Sequence, residues 1–255
     1  MKTNHIARVI LVVLLATSTA ELGLGQTLRP RTPVFRKLPG IASPQLDSLG
    51  VRVRKEGKEL TVLSGEYLDS SGQRRTAQIV HQLPNLVILR GFVAGNRELK
   101  FDGSRQLALA PNEETLLEVF VTDVVEGMLT SIQDGAAIRL LGREFKPSAA
   151  AAPSYSGPGY DIYEVTARIP LGSAEKVRTK LYYFDSASGL LLNTRYQDAS
   201  VVPAIRVETR FSDWRLVDGS AYPGRIERYE NDRRVFSFTT TNASGAPAID
   251  AANFR

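Results

Sequence analysis

Cysteine is absent from the 255 residues. This excludes a disulfide framework, a thiol nucleophile, a thiolate metal site and the acylated cysteine of a lipobox. Histidine is nearly absent. There are two, and His5 lies in an N-terminal segment expected to be removed, which leaves His81, read as a structural or surface histidine. The chain also lacks a Gly-x-Ser-x-Gly elbow, a Walker loop, a His-Glu-x-x-His helix and a Cys-x-x-Cys pair. Without a nucleophile–base pair or a spaced ligand set, the reading is of a non-enzyme with no cofactor and no metal. Tryptophan occurs once and methionine twice, so no dense aromatic-and-methionine lining is visible. Charge of one sign is not concentrated either: 32 basic and 27 acidic residues give a formal charge of +5. The basic residues are dispersed among the acidic ones, a pattern that does not suggest nucleic acid as a partner.

Long hydrophobic runs are missing, with one short exception. Residues 1–25 begin with Lys2 and Arg8, continue with an apolar run over 9–16, and end in small residues. The run is too short to span a bilayer and reads as a secretory signal peptide, cleaved after Ala20 or after Gly25. The expected address is periplasmic or secreted, with a Gram-negative cell envelope the natural setting. Residues 26–56 contain Pro30, Pro33, Pro39 and Pro44 and only a weak helical signal through Leu46 and Leu49. They read as a flexible Pro/Arg-rich leader, and the folded domain is expected over residues 57–255.

One stretch of that domain reads as a long helix, residues 112–134. Leu116, Leu117, Phe120, Val121, Val124, Val125, Met128, Leu129 and Ile132 recur on one face of a 3.6-residue period. Glu114, Glu118, Thr122, Glu126 and Thr130 fall on the other face, expected to meet water. Asn112 is the expected N-cap, Glu113 and Glu114 suit the positive end of the dipole, and Gly135 ends the helix. The apolar stripe must face either a packed core or a ligand.

Nearly all the rest reads as strand. Segments 59–68, 74–82, 85–93, 97–101 and 105–110 precede the helix, with hairpin signals at Gly95-Asn96 and Asp102-Gly103. Segment 136–145 follows it. After a low-complexity stretch at 147–159, a connector or a mobile rim beside a binding site, segments 160–168, 177–184, 190–198, 204–214, 222–230 and 233–241 form a meander. Ile205, Val207, Thr209 and Phe211 alternate with Arg206, Glu208, Arg210 and Ser212, as in an antiparallel sheet with one wet face. The turns leave no room for crossover helices. The expected fold is α+β, mainly β: a curved antiparallel sheet, an incomplete β-barrel, packed around one long amphipathic helix. Phe211, Trp214, Phe236 and Phe238 are expected to border its core. Strict alternation would separate Phe211 from Trp214, so a bulge is expected near Ser212-Asp213.

Several segments then stand in a familiar order: Gly65-Glu66-Tyr67, Phe101-Asp102-Gly103, Leu181-Tyr182-Tyr183-Phe184-Asp185, Ser188-Gly189-Leu190-Leu191, Phe211-Ser212-Asp213-Trp214-Arg215-Leu216-Val217-Asp218-Gly219, Tyr222-Pro223 and Asn253-Phe254. Over residues 57–255 the chain resembles the LolA-like proteins, the periplasmic outer-membrane lipoprotein carriers and their relatives. The resemblance implies an incomplete antiparallel barrel closed by helices over an apolar cavity. It implies as cargo or signal the acyl chains of lipids or lipoproteins. No single arginine aligns with the carriers' functional one. The function expected is an exported, non-enzymatic binding protein for lipid or lipoprotein acyl chains. The alternative is a ligand-free protein-interaction or envelope-stress sensor module of the same fold. The partners expected are a hydrophobic acyl chain or lipid, an envelope protein and peripheral contact with a membrane. The ligand contacts expected are Leu117, Phe120, Val121, Val124 and Met128 on the helix, with Phe211 and Trp214 on the sheet; the flexible thioether of Met128 would adapt to chain shape.

Overall fold

The computed structural model describes residues 60–82, 86–103, 109–146, 159–172, 176–217 and 220–254. The signal segment, the leader, most of the strand expected at 105–110 and most of the 147–159 stretch lie outside these residues. The elements are β1 (Leu60–Asp69), β2 (Arg74–Gln82), β3 (Leu86–Arg90), β4 (Leu99–Phe101), α1 (Pro111–Glu118), α2 (Val125–Gln133), β5 (Ala137–Phe145), β6 (Tyr160–Ile169), β7 (Lys176–Asp185), β8 (Leu191–Asp198), β9 (Ile205–Ser212), β10 (Arg215–Val217), β11 (Ser220–Tyr222), β12 (Arg225–Glu230) and β13 (Arg233–Ala246).

Eleven strands form one antiparallel sheet in the order β4-β3-β2-β1-β13-β12-β9-β8-β7-β6-β5, and β10 with β11 forms a separate two-stranded ribbon. The sheet does not close into a barrel; β4 and β5 are its edges. Local chemistry sets the turns. Asn231 and Asp232 have φ of 46° and 65°, as the tight hairpin between β12 and β13 requires. Asp69 Oδ1 accepts from the Ser71 and Gln73 backbone N–H groups at 2.9 and 3.0 Å, which closes the first turn. Gly95 has φ 77°, but its residues form a 3-10 turn, Ala94–Asn96, rather than the two-residue hairpin expected there. The long strand β13 joins the halves of the chain, pairing with β1 on one side and β12 on the other. Its register with β1 shifts between Ser64 and Gly65, where a Cβ on Gly65 would lie 2.0 Å from the Thr239 carbonyl oxygen. Only glycine permits that approach, and such an irregularity adds twist to the sheet.

The two faces of the sheet are treated differently. On the concave face Tyr67, Phe92, Phe120, Phe236 and Phe238 pack with ring centroids 4.9–6.4 Å apart. On the convex face a smaller cluster of Leu60, Val80, Leu86 and Ile88 is covered by Phe254. The Gln82 side chain holds that cover in place, donating to the Ile249 carbonyl at 2.9 Å and accepting from its N–H at 2.8 Å. Elsewhere the convex face carries exposed ion pairs such as Arg139–Glu164 and Arg195–Glu208, worth about 0–1 kcal/mol each.

The single long helix is replaced by two. Its N-cap lies two residues earlier than expected, at Ala110, with Pro111 inside the first turn. Asn112 is therefore helical, and Glu113 supplies the cap by accepting from the Ala110 N–H at 3.0 Å. After Glu118 the backbone widens into a π turn over Val119–Asp123. It then breaks at Val124, which is extended at φ −76° and ψ 162°. Helix α2 starts afresh from the Val124 carbonyl, which accepts from Met128 N–H at 3.1 Å. Gly135, at φ 90°, ends it as expected. The break needs Gly127: a Cβ there would lie 2.0 Å from the Val121 carbonyl oxygen. In an uninterrupted helix Gly127→Ala would stabilise by about 1 kcal/mol. Here the clash reverses the sign, and Gly127→Ala is expected to destabilise by about 1–3 kcal/mol, read as a fall in the urea midpoint with unchanged slope.

Candidate functional site

The broken helix divides the concave floor into an apolar part and a charged part. The apolar part holds a partly open cavity of about 110 Å³. Thr61 and Leu63 of β1, Ile79 and His81 of β2, Phe211 of β9 and Ile226 of β12 line its sheet side. Phe120, Val124, Val125, Glu126 and Leu129 line its helix side, with Trp214 and Tyr222 beside the small ribbon. Period-2 alternation explains the sheet wall. Thr61 shares a face with Leu63, His81 shares one with Ile79, and Thr61 and His81 are direct cross-strand partners. Phe211 and Trp214 reach the same cavity because the strand expected through 214 ends at Ser212 and Asp213 turns at φ 54°. The register of β9 with β12 is unbroken up to Ser212, so the irregularity is a strand break.

The charged part was not anticipated. Glu118 and Thr122, expected to meet water, are buried together with Asp123, Lys180 and Arg228. Lys180 Nζ donates to Glu118 Oε1 at 3.0 Å, Thr122 Oγ1 at 2.6 Å and Asp123 Oδ1 at 2.5 Å. The other Asp123 oxygen accepts from Thr209 Oγ1 at 2.6 Å. The π turn's carbonyls are bonded as well: Tyr182 Oη donates to the Thr122 carbonyl at 2.7 Å and Thr194 Oγ1 to that of Asp123 at 2.8 Å. Arg178 pairs with Asp198 at 2.7 Å and Arg228 with Glu230 at 3.1 Å. The Tyr196 ring lies under three cations, with Lys180 at 4.4 Å, Arg178 at 4.9 Å and Arg228 at 5.8 Å. Burial alone would raise the Glu118 carboxyl, but the charges of Lys180, Arg228 and Arg178 outweigh it and bring it down to about 2. Burial pushes the Tyr196 hydroxyl well above its usual range, and the Glu118 charge adds to the effect.

The two parts meet along three elements. Asp123 belongs to the charges and Val124 to the cavity; Thr209 and Phe211, and Arg228 and Ile226, divide the same way. Of the side chains expected to contact a ligand, Phe120, Val124, Phe211 and Trp214 are brought together on the cavity wall. Leu117 and Met128 are fully enclosed in the packed core. Val121 borders a different recess, with Thr166 and Val177, toward the β6–β7 side. Glu126, expected on the solvent face, lines the cavity. The cavity residues missed from sequence include Thr61, Leu63, Ile79, His81, Leu129, Tyr222 and Ile226, which the sequence showed only as parts of strands or of the helix stripe. Among the described residues no group of three or more His, Asp or Glu could hold a metal ion, and no helix is long and apolar enough to cross a membrane.

No family model matches the chain, and no curated protein does. Solved structures similar to it include a LolA superfamily protein from Nitrosomonas europaea, at 10% identity and TM-score 0.49, with 83% of this chain and 96% of that one covered. A putative outer membrane lipoprotein-sorting protein domain from Vibrio parahaemolyticus is similar at 10% identity and TM-score 0.48, covering 83% and 95%. A DUF1329 family protein from Desulfovibrio piger is similar at 11% identity and TM-score 0.50, covering 83% and 94%. At this identity the likeness to the Desulfovibrio piger protein is one of fold.

The depressed carboxyl of Glu118 has a pH consequence. Its folded value of about 2 lies below its ordinary value of 4.5. The stabilisation is therefore complete above pH 4.5 and is lost as pH falls toward 2. Glu118→Gln, which leaves Lys180 without that partner, is expected to cost about 2–4 kcal/mol at pH 7. The urea midpoints of wild type and variant should converge as pH approaches 2; a gap that does not change between pH 7 and 2 would contradict the assignment.

Proposed function

We propose that the protein is a non-catalytic binding protein that takes up an apolar chain, of a lipid or of an acylated protein, in the cavity between the helix break and the concave sheet. One observation carries the reading: Phe120, Val124, Leu129, Phe211, Ile226 and Trp214, from four separate elements and the turn after β9, converge on one partly open apolar space. Its volume of about 110 Å³ is of the order of the ~150 Å³ cavity that binds benzene in another protein. The space accepts a short length of chain, and a longer chain would extend past Trp214 and the ribbon. Each methylene taken from water contributes about 0.8 kcal/mol. The likeness to a lipoprotein-sorting domain and a LolA superfamily protein is consistent in kind. The basic and apolar N-terminal segment supports export to the cell envelope, where such chains and an envelope protein partner would be met.

A ligand-free interaction or sensor module is the second reading, favoured by the full enclosure of Leu117 and Met128 in the core. Titration of the protein with an uncharged apolar fluorophore, N-phenyl-1-naphthylamine, separates the two. Wild type is expected to enhance its emission saturably, and Val124→Trp, which fills the cavity, to weaken binding at least tenfold. Equal binding by both proteins, or none by wild type, would leave the interaction module as the better account.

A further inference from the structure

The convex face carries a surface of different chemistry. Across β7, β8, β9 and β12 it dips into an open trough of about 550 Å³ whose walls include Leu181, Tyr183, Arg195, Glu208, Arg210 and Tyr229. Period 2 sets the trough back to back with the interior: the sequence neighbours of Arg195 and Arg210, which are Thr194, Tyr196, Thr209 and Phe211, are buried. Within the trough the carboxylate lies beneath the guanidiniums. Glu208 is 15% exposed, while Arg195 and Arg210, which pair with it at 2.8 and 2.7 Å, are each about half exposed. Glu227 is covered in the same way by Arg225 at 3.0 Å and Arg234 at 3.7 Å, and the register sets it opposite Arg210. Four guanidiniums over two carboxylates make one cationic band. Two rings brace it: Tyr183 lies 5.0 Å from the Arg195 guanidinium and Tyr229 lies 4.2 Å from that of Arg210. Each of these two guanidiniums is fixed by a carboxylate and a ring while remaining half exposed, and has little freedom left to lose on binding.

We infer that this trough docks an acidic segment of a protein partner, its carboxylates bonded by Arg195 and Arg210 and its chain laid over Tyr183, Leu181 and Tyr229. A guanidinium fork matches a carboxylate with two parallel hydrogen bonds. Tyrosine and arginine, with no lysine among the described lining residues, are the composition of the energetic centre of a protein–protein contact. A surface for an anionic bilayer is built instead from clusters of Lys and Arg beside an apolar anchor; here each arginine pair encloses a carboxylate. Docking on this face leaves the cavity, on the other side of the sheet, uncovered. The inference is independent of the apolar-chain reading, because it holds or fails on the convex face alone.

The probe is fluorescein-labelled poly-L-glutamate, followed by fluorescence anisotropy at neutral pH and low ionic strength, where exposed charges are least screened. Wild type is expected to bind it saturably, and Arg195→Gln with Arg210→Gln to bind at least tenfold more weakly. Arg74→Gln with Arg139→Gln removes the same charge from two exposed arginines outside the trough and should change the Kd less than threefold. Arg195→Lys with Arg210→Lys keeps the charge and loses the fork; binding should weaken about threefold or more. All three variants should retain the wild-type melting temperature and the wild-type affinity for N-phenyl-1-naphthylamine, since none touches the cavity. A wild type that binds no poly-L-glutamate overturns the inference. So does an equal loss in the two glutamine variants, which reduces the effect to net charge, and so does wild-type affinity in the lysine variant. Phosphatidylglycerol vesicles that displace poly-L-glutamate from wild type, and bind the Arg195→Gln/Arg210→Gln variant more weakly, assign the trough to a membrane surface and overturn the protein partner.

Discussion

The ammonium of Lys180 organises the interior. Its donors reach Glu118, Thr122 and Asp123 across the gap between β7 and the helical segment. Two carboxylates and one ammonium are taken out of water together, and the carboxylates have further partners, Arg178 for Glu118 and Thr209 and Arg228 for Asp123. A buried charge without such compensation would be intolerable; with it, the arrangement specifies one geometry more than it adds net stability. That geometry is the position of the π turn. With Asp123 held to β7 and β9, and its carbonyl accepting from Thr194, the chain cannot continue as a regular helix along the stripe. It steps out at Val124 and starts again.

This step creates the cavity. A straight helix would lay its whole stripe against the concave sheet, and the space between them would be filled from one end to the other. The break instead places Val124, Val125 and Leu129 at a distance from Ile79, Phe211 and Ile226 while Leu117 and Met128 remain tightly packed. The charged cluster and the apolar cavity are therefore consequences of one backbone event and share the elements that flank it. Any ligand that occupies the cavity lies one residue from Asp123, against a wall whose rigidity comes from the ion pairs rather than from apolar packing alone.

The open sheet contributes the other half of the enclosure. The irregularity of β1 against β13 at Gly65 and the turn at Asp213 bend strands over the helices. The edges β4 and β5 remain unpaired with one another. The lumen of an antiparallel barrel that closes on itself is fixed by its strand number and shear. An open one lets the helical segment set the internal volume. Loss of regularity at a few positions, Gly65, Asp213 and Val124, accounts for more of the site than the regular elements do.

The chain by itself determined the strands and their faces. Period-2 alternation survives into the structure where a strand has one face buried, as in β9, because a register slip there would invert it. It also determined the helix end at Gly135, where local chemistry demands a left-handed residue. What only the tertiary structure decided was the helix break and all that follows from it. Glu118 and Thr122 hold polar positions on a helical wheel, and a wheel cannot show that Lys180 of a strand 62 residues away in sequence from Glu118 waits on that face. Period 3.6 assigns polar residues to water by default; charge compensation between distant elements is invisible to it. His81 likewise read only as a structural or surface histidine and Thr61 as one residue of a strand, and the break at Val124 leaves space in front of them.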